Sequence, residues 1–539
     1  MAFIVRTLPR FLREKAARPE VWLAVFVVGL TGYRLTLIDR GHFFWGDEVR
    51  YLSAAALLDD FQVGEYRGGA GRLFESFARP GFVLASLIPA GAQRLWAFLA
   101  GVGYNTPASF HVVSAFNVLV SLGITLCMFR LATAWSASRW HALFAAIVFS
   151  LLCYSNFWIR HLMPYYLSLL LYLHALTLLS MAAESPPRLL RRAAWAGALS
   201  AFGHLCYPTY YLFMVINVAV LLAVSRLGRA VLAFTGAAAG VVAAFELIAR
   251  FGRTSYVSEM TKALAAHARQ RTQGCFEEGF VFAWRYLHEV EGVIGVALFV
   301  LTVGFVANLL WRKAVVIPRA ARVAVATAVA CYLLHASLSV FLHKTIFFGR
   351  ILGMYLPIVV CSAILALTHI PWRSVHAAGV AGLMAASAWS FGSFAIEYAK
   401  VVYPADFLLS TLAADDYRTN FPPGVLWGHS DSRPDSVEEL DPQIVMVSDQ
   451  RKDGAECPLI YHASHETAYQ SGARYIGVNL KWVFYYRDKD DAFTPPLSYR
   501  LLASAASPIG LAATGFEAYR PWERKRQVER QYVMRIYGR

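Results

Sequence analysis

Charged residues are scarce in this sequence. Asp, Glu, Lys and Arg make up 16% of 539 residues, against roughly a quarter in an ordinary soluble domain. Hydrophobic residues make up 57% and mean hydropathy is +0.45, which excludes a soluble globular chain. Cysteines number seven, and none has the spacing of a metal site. Cys127, Cys153, Cys206, Cys331 and Cys361 lie in or beside apolar runs and are expected to pack as small hydrophobes. Cys275 and Cys457 fall in polar stretches on one expected side of a membrane; a disulfide between them is the less favoured reading. No small-residue cleavage site follows the first apolar run, although Arg6, Arg10, Arg13, Lys15 and Arg18 precede it, so that run is expected to remain as an anchor. Internal repeats and low-complexity tracts are lacking too. The want of paired, similar halves speaks against the common transporter architectures.

What the sequence has instead is a succession of apolar runs, each near the ~20 residues that a helix needs to cross a bilayer. Eleven are expected to span: 21–38, 110–133, 140–157, 162–183, 191–206, 208–225, 230–249, 291–311, 320–341, 348–369 and 374–396. The net charge of +15 sits with them: residues 1–399 carry 33 Lys and Arg against 17 Asp and Glu, and residues 400–539 carry 17 against 18. The excess is therefore loop charge that sets topology and meets anionic lipid, not a nucleic-acid footprint. By the positive-inside rule the N-terminus, Arg130–Arg139, Arg188–Arg192, Arg226–Arg229, Arg312–Arg322 and Arg373 are cytoplasmic. Segments 39–109, 157–161, the turn at Tyr207-Pro208, 250–290, 342–350 and everything after 397 then face outward. The stretch 81–101 is apolar enough to enter the membrane. Arg94, Pro89 and the parity of the basic loops favour helices along the interface or a re-entrant pair; further crossings there would raise the count to as many as thirteen.

From about residue 398 charge density rises to about a quarter, and strand-like runs appear at Val425–Trp427, Gln443–Val447, Arg474–Val478 and Gln531–Ile536. Helix-compatible stretches, Ala405–Tyr417 and His465–Gly472, lie among them. The expected fold is an α-helical polytopic membrane protein, residues 1–397 with outer loops 39–109 and 250–290. A soluble extracytoplasmic α/β domain over 398–539 completes it.

The chemistry-bearing residues gather at the outer ends of the spans. Gly41-His-Phe-Phe-Trp-Gly-Asp47-Glu48-Val-Arg50-Tyr51 follows the first run at once. Two carboxylates so near a bilayer are costly unless solvated, paired or used, and Arg50 and Arg67 are near enough to keep both ionised. Asp47 suits a base that takes or orients an acceptor's proton opposite a leaving phosphate. On residue types alone, a helix-capping Asp before Val49–Leu58 is an equal reading. Further on, Glu75-Ser-Phe-Ala-Arg79-Pro80 puts a cation at the lip of a membrane segment, either a phosphate ligand or an interfacial anchor. His343, Lys344 and Arg350 share one outer turn and suit a phosphate clamp, or else snorkelling cations. Arg160 and His161 are placed similarly. Tyr256, Lys262, His267, Arg269 and Arg271 lie on a helical-looking outer stretch, a basic flap or a plain interfacial helix. Tyr207-Pro208-Thr-Tyr210-Tyr211 looks like an interfacial aromatic belt, and His429, His462 and His465 look like surface residues.

Taken together these motifs resemble a family. A first transmembrane helix followed by Asp47-Glu48-Val-Arg50-Tyr51 is similar to the lipid-phosphosugar-dependent glycosyltransferases of the GT-C fold, in particular the protein O-mannosyltransferases and the aminoarabinose transferase acting on lipid A. Those enzymes show Glu-Lys-Pro-Pro later in the same loop; the match here is Glu75…Arg79-Pro80, with Arg for Lys and the acid displaced. Their Arg-Tyr-x-x-Pro-like signature has a loose counterpart in Phe348-Gly-Arg350-Ile-Leu-Gly-Met-Tyr355-Leu-Pro357. Asn156-Phe-Trp-Ile-Arg160-His161-Leu-Met-Pro164-Tyr165-Tyr166 is a third, lacking the acidic residue that family members often carry before that Pro region. The resemblance covers the membrane part, about three quarters of the chain.

It implies an inverting transfer from a polyprenyl-phosphate-sugar donor to a lipid, glycan or protein acceptor, on the periplasmic face of a bacterial inner membrane. Asp47 would be the catalytic base and Glu48 a supporting acid or an occasional ligand of a divalent metal. Arg350, Lys344, Arg79 and His343 would serve the donor phosphate. Tyr51, Glu75, Arg160, His161, His267, Arg269 and Arg271 would serve the acceptor or the loops. The alternative from another class is a transporter or flippase of a lipid-linked glycan, which would place charges at mid-helix; here most lie at the outer ends, Glu246 among them. A non-catalytic assembly scaffold is a third reading.

Overall fold

The computed structural model describes residues 18–38, 50–75, 79–101, 107–136, 138–182, 188–225, 228–269, 279–311, 317–344 and 349–400. Beyond these it describes six strands and the turn residues 497–499. In chain order the helices are α1 (Pro19–Leu35), α2 (Arg50–Gln62), α3 (Tyr66–Glu75), α4 (Pro80–Ala100), α5 (Pro107–Ser136), α6 (Arg139–Leu151) and the single turn α7 (Tyr154–Phe157). They continue as α8 (Tyr165–Ala182), α9 (Leu189–Cys206), α10 (Tyr211–Val224), α11 (Gly228–Phe251), α12 (Tyr256–Arg269) and α13 (Phe282–Glu289). The last are α14 (Val293–Trp311), α15 (Arg319–Val340), α16 (Gly349–Leu352), α17 (Leu356–Thr368) and α18 (Arg373–Lys400).

Among the described residues six helices are long and apolar enough to cross a bilayer: Pro80–Ala100, His111–Ser136, Gly228–Phe251, Val293–Trp311, Arg319–Val340 and Arg373–Ala399. Tyr165–Met181, Pro208–Val224 and Leu356–Thr368 are shorter apolar helices. The chain is a helical polytopic membrane protein. Two expectations change in detail. Residues 81–101 do not form a re-entrant pair: α4 is one continuous helix that starts on Pro80, where the missing N–H is not needed, and runs through Pro89. Run 140–157 is not one rod: α6 stops at Leu151, and the Tyr154–Arg160 segment leaves it at 63°.

Helix α8 sits at the centre, buried on nearly every side through Tyr165, Leu169, Tyr172, Leu173, Leu176 and Leu179, with α5, α9 and α10 packed around it. Such all-round burial explains why its sequence is apolar around its whole circumference. Outer helices such as α11 and α14 keep exposed Leu, Val and Phe side chains, as a lipid-facing surface requires.

The strands are β1 (Ile444–Val447), β2 (Gly454–Cys457), β3 (Ile460–Ala463), β4 (Tyr475–Leu480), β5 (Arg500–Pro508) and β6 (Gln531–Gly538). They form one mixed sheet in the order β2-β3-β1-β4-β6-β5. Strand β1 runs parallel to β3 and β4, with Val445 opposite Tyr461 and Ile476, and β6 is antiparallel to β4 and β5. The sequence marks β1, β4 and β6 through their β-branched and aromatic residues. It hides β5, where Leu501-Leu-Ala-Ser-Ala-Ala carries little strand propensity and forms only because β6 pairs with it. Val425–Trp427, Ala405–Tyr417 and His465–Gly472 lie outside the described residues.

Candidate functional site

The local architecture of the site starts from the break between α6 and α7. Leu152 is extended at ψ 147°, so backbone groups on both sides of it lose their helical partners, and none can be hydrated inside a bundle. On the carbonyl side the buried Arg34 of α1 satisfies them. Its Nη2 donates to the Ser150 carbonyl (3.2 Å) and the Ser155 carbonyl (2.8 Å), its Nη1 to Ser121 Oγ (2.8 Å) and its Nε to Asn156 Oδ1 (3.1 Å). Asn156 Nδ2 in turn donates to the Ser150 and Leu152 carbonyls at 3.0 and 2.8 Å. On the amide side the buried carboxylate of Glu291, in the turn before α14, accepts from the N–H of Cys153 (2.8 Å) and of Tyr154 (3.1 Å). Tyr286 of α13 faces this carboxylate. Burial first, and then the Glu291 charge, pushes its ionisation well above the usual phenol range, so it stays a neutral hydroxyl. Neither Arg34 nor Glu291 was singled out from the sequence. Their one signal was ionisable residues at the edges of apolar runs, which argue for a role.

Past the break the chain turns through Trp158–Arg160 into Tyr165, and a row of edge-to-face aromatic rings begins. Ring centroids lie 4.7 Å apart for Trp158 and Tyr165, 4.6 Å for Tyr165 and Tyr207, and 4.9 Å for Tyr207 and Tyr210. Two cations from distant parts of the sequence reach neighbouring rings here. The Arg79 guanidinium, at the start of α4, lies 5.0 Å from the Tyr207 ring. The Arg350 guanidinium, in α16, lies 5.7 Å from the Tyr165 ring and donates from Nη1 to its hydroxyl at 3.1 Å. These are cation–π distances, and neighbouring rings hold the two guanidiniums. The Arg350 backbone is tied as well, since Tyr210 donates its hydroxyl to the Arg350 carbonyl (2.8 Å) and is bonded to the Tyr154 hydroxyl (3.0 Å).

The interfacial-belt expectation for Tyr207–Tyr211 is thereby corrected. Tyr207 and Tyr210 are buried within this row of rings, and of the three tyrosines only Tyr211 faces outward.

The other residues are held by different partners, although the His161 ring also lies 6.0 Å from Trp158. Arg160 is buried, donates from Nη1 to the Tyr398 carbonyl (2.9 Å) and lies 4.8 Å from the Tyr398 ring. His161 is buried against Phe157, and its carbonyl accepts from Asn117 Nδ2 at 2.7 Å. Tyr51 is buried and donates to Gln93 Oε1 at 2.7 Å, which ties α2 to α4. His343 and Lys344 are exposed beyond the end of α15, unlike the half-buried Arg350. Arg67 lies over Phe251, and Lys262 pairs with Glu259 on α12. Asp47, Glu48 and Arg271 lie outside the described residues, as do the side chains of Glu75, His267 and Arg269.

Two arginines on adjacent rings suit an anion with several oxygens, because planar guanidinium forks match phosphate geometry and are weakly hydrated. An apolar groove of about 420 Å³ opens between α14, α15 and α17. Leu352 and Tyr355, just after Arg350, line it, and it continues along α14 past Val306 to Trp311. Among the described residues no three His, Cys, Asp or Glu side chains stand close enough to share a metal ion. No protein-family model matches the chain, nor does any curated protein sequence.

Proposed function

We propose that this protein is a membrane glycosyltransferase that moves a sugar from a polyprenyl-phosphate-sugar donor to a lipid, glycan or protein acceptor, with inversion. The observation that carries the reading is that Arg79 and Arg350 lie on the neighbouring Tyr207 and Tyr165 rings, while Leu352 and Tyr355, just after Arg350 in the chain, line an apolar groove. A phosphate head joined to a long hydrocarbon tail needs that combination of cations and apolar surface. In this reading the two arginines hold the leaving phosphate and the groove takes the first isoprene units. Asp47, with Glu48 beside it, removes or orients the acceptor proton from the far side of the sugar. In this reading the site opens to the periplasmic side.

A flippase for a lipid-linked glycan would need buried charge within the bundle, and Arg34 and Glu291 are such charges. Both are engaged by backbone groups of the α6–α7 break, which favours the transferase.

The test is turnover in nanodiscs with a panel of radiolabelled polyprenyl-phosphate sugars, wild type against Asp47→Asn. The substitution keeps size and hydrogen bonding but removes basicity, so turnover should fall about 10²-fold or more. A helix cap would be nearly indifferent to the change, since Asn caps about as well as Asp. Near-normal turnover in a folded Asp47→Asn protein would therefore sink the assignment.

A further inference from the structure

Two buried ionisable side chains hold the α6–α7 break from elements far apart in the sequence. Arg34 comes from α1, the first described helix. Glu291 comes from the turn Val290–Gly292, where Gly292 takes a φ of +68° that only glycine adopts without strain. Downstream of the break both routes lead to the row of edge-to-face rings. Tyr154 has its backbone N–H on Glu291, while its hydroxyl reaches Tyr210 (3.0 Å) and through Tyr210 the Arg350 carbonyl (2.8 Å). The Trp158–Arg160 turn brings Trp158 against Tyr165, the ring that carries the Arg350 guanidinium.

We infer that Glu291 and Arg34 are positioning residues for the anion site: by fixing the broken helix they set where the Tyr154–Tyr210 pair holds Arg350. This rests on the reading of Arg350 as a phosphate ligand. The carboxylate is specifically suited to the task, because two amide N–H groups converge on its two oxygens. A glutamine would offer one acceptor oxygen and turn its NH₂ toward the second amide, leaving a buried donor unmatched.

The experiment combines thiol labelling with ligand binding on the full chain in nanodiscs. It compares wild type, Glu291→Gln, Arg350→Ala and the double variant. Cys153 reports on the break: it is buried, and its Sγ donates to the Val290 carbonyl at 3.4 Å. Glu291→Gln should speed its alkylation by N-ethylmaleimide about tenfold or more, as expected for loss of a charge-assisted hydrogen bond. Cys206 and Cys361, buried elsewhere, should stay protected.

Binding is read with undecaprenyl phosphate, without sugar. Glu291→Gln should weaken it about tenfold, and the double variant should bind no worse than Arg350→Ala alone, because both changes act through one group. Unchanged Cys153 labelling, or equal exposure of all the buried cysteines, overturns the clamp. Selective labelling with additive binding losses overturns the link to Arg350. Absence of wild-type binding overturns the transferase reading instead, and the labelling pattern then decides the clamp by itself. Should Glu291→Gln fail to fold, Glu291→Asp serves the same comparison: it keeps the charge but is one carbon too short to reach both amides.

Discussion

At the scale of single residues, the arginines on the tyrosine rings carry the sharpest expectations. Arg350→Ala should weaken binding of a polyprenyl-phosphate donor by roughly 1.5–3 kcal/mol, the range for a hydrogen bond to a charged group. Arg350→Lys should recover only part of this, since an ammonium has neither the planar fork nor the ring-stacking surface of a guanidinium. Titration with undecaprenyl phosphate measures both; unchanged affinity in Arg350→Ala would move the phosphate toward Arg79 or the 262–271 stretch. Tyr165 separates the two contacts that it makes with Arg350. Tyr165→Phe keeps the ring and loses one hydroxyl partner, so the same titration should show a loss of about 0.5–1.5 kcal/mol. Tyr165→Leu removes the cation–π face too and should cost more.

At the scale of elements, the short α16–α17 turn and the broken helix are pressed together at one glycine. A Cβ on Gly353 would lie 2.1 Å from Tyr154 Cε2 and 2.3 Å from its hydroxyl. That ring is buried, and its hydroxyl is bonded to Tyr210, so it cannot swing aside cheaply. Gly353→Ala is expected to destabilise the folded protein by about 1–3 kcal/mol through overpacking, visible as a lower melting temperature in detergent. Gly236 on the exposed side of α11 is the control, because nothing lies within 4 Å of the added methyl. There Gly236→Ala should be neutral or slightly stabilising through helix propensity. Equal effects at the two sites would show that Tyr154 is not held as tightly as its contacts indicate.

At the scale of the whole molecule, topology is the expectation to measure. The alternating basic loops put the loop around Val63 and the C-terminal region on the same, non-cytoplasmic side. Val63 and Leu497 are both exposed. With Cys275 and Cys457 replaced by Ser, an impermeant maleimide added to intact cells should label both Val63→Cys and Leu497→Cys. Labelling of one alone would break the eleven-span scheme, and α4 would be the first suspect: Pro80–Ala100 is long and apolar enough to cross. Against its crossing stands Arg94, well inside α4 and paired with Asp59 of α2, an ion pair costly to place in hydrocarbon.

What the sequence determined by itself was the solvent. Fifty-seven per cent hydrophobic residues, little charge and repeated apolar runs commit the chain to a helical polytopic membrane protein, because lipid leaves backbone groups no partner but their own helix. It also marked Arg79 and Arg350, since a cation at the lip of an apolar run stands out against so uncharged a background. What only the tertiary structure decided was company. No local pattern says that Tyr207 and Tyr165 become neighbouring rings, that these two arginines settle on them, or that run 140–157 breaks at Leu152. At the break itself the lost backbone partners come from Arg34 and Glu291, which arrive from distant parts of the sequence, and a glycine leaves room for Tyr154. Periodicity reports which face of one helix is apolar, whereas a break is stable only when other helices supply the hydrogen bonds that it has lost.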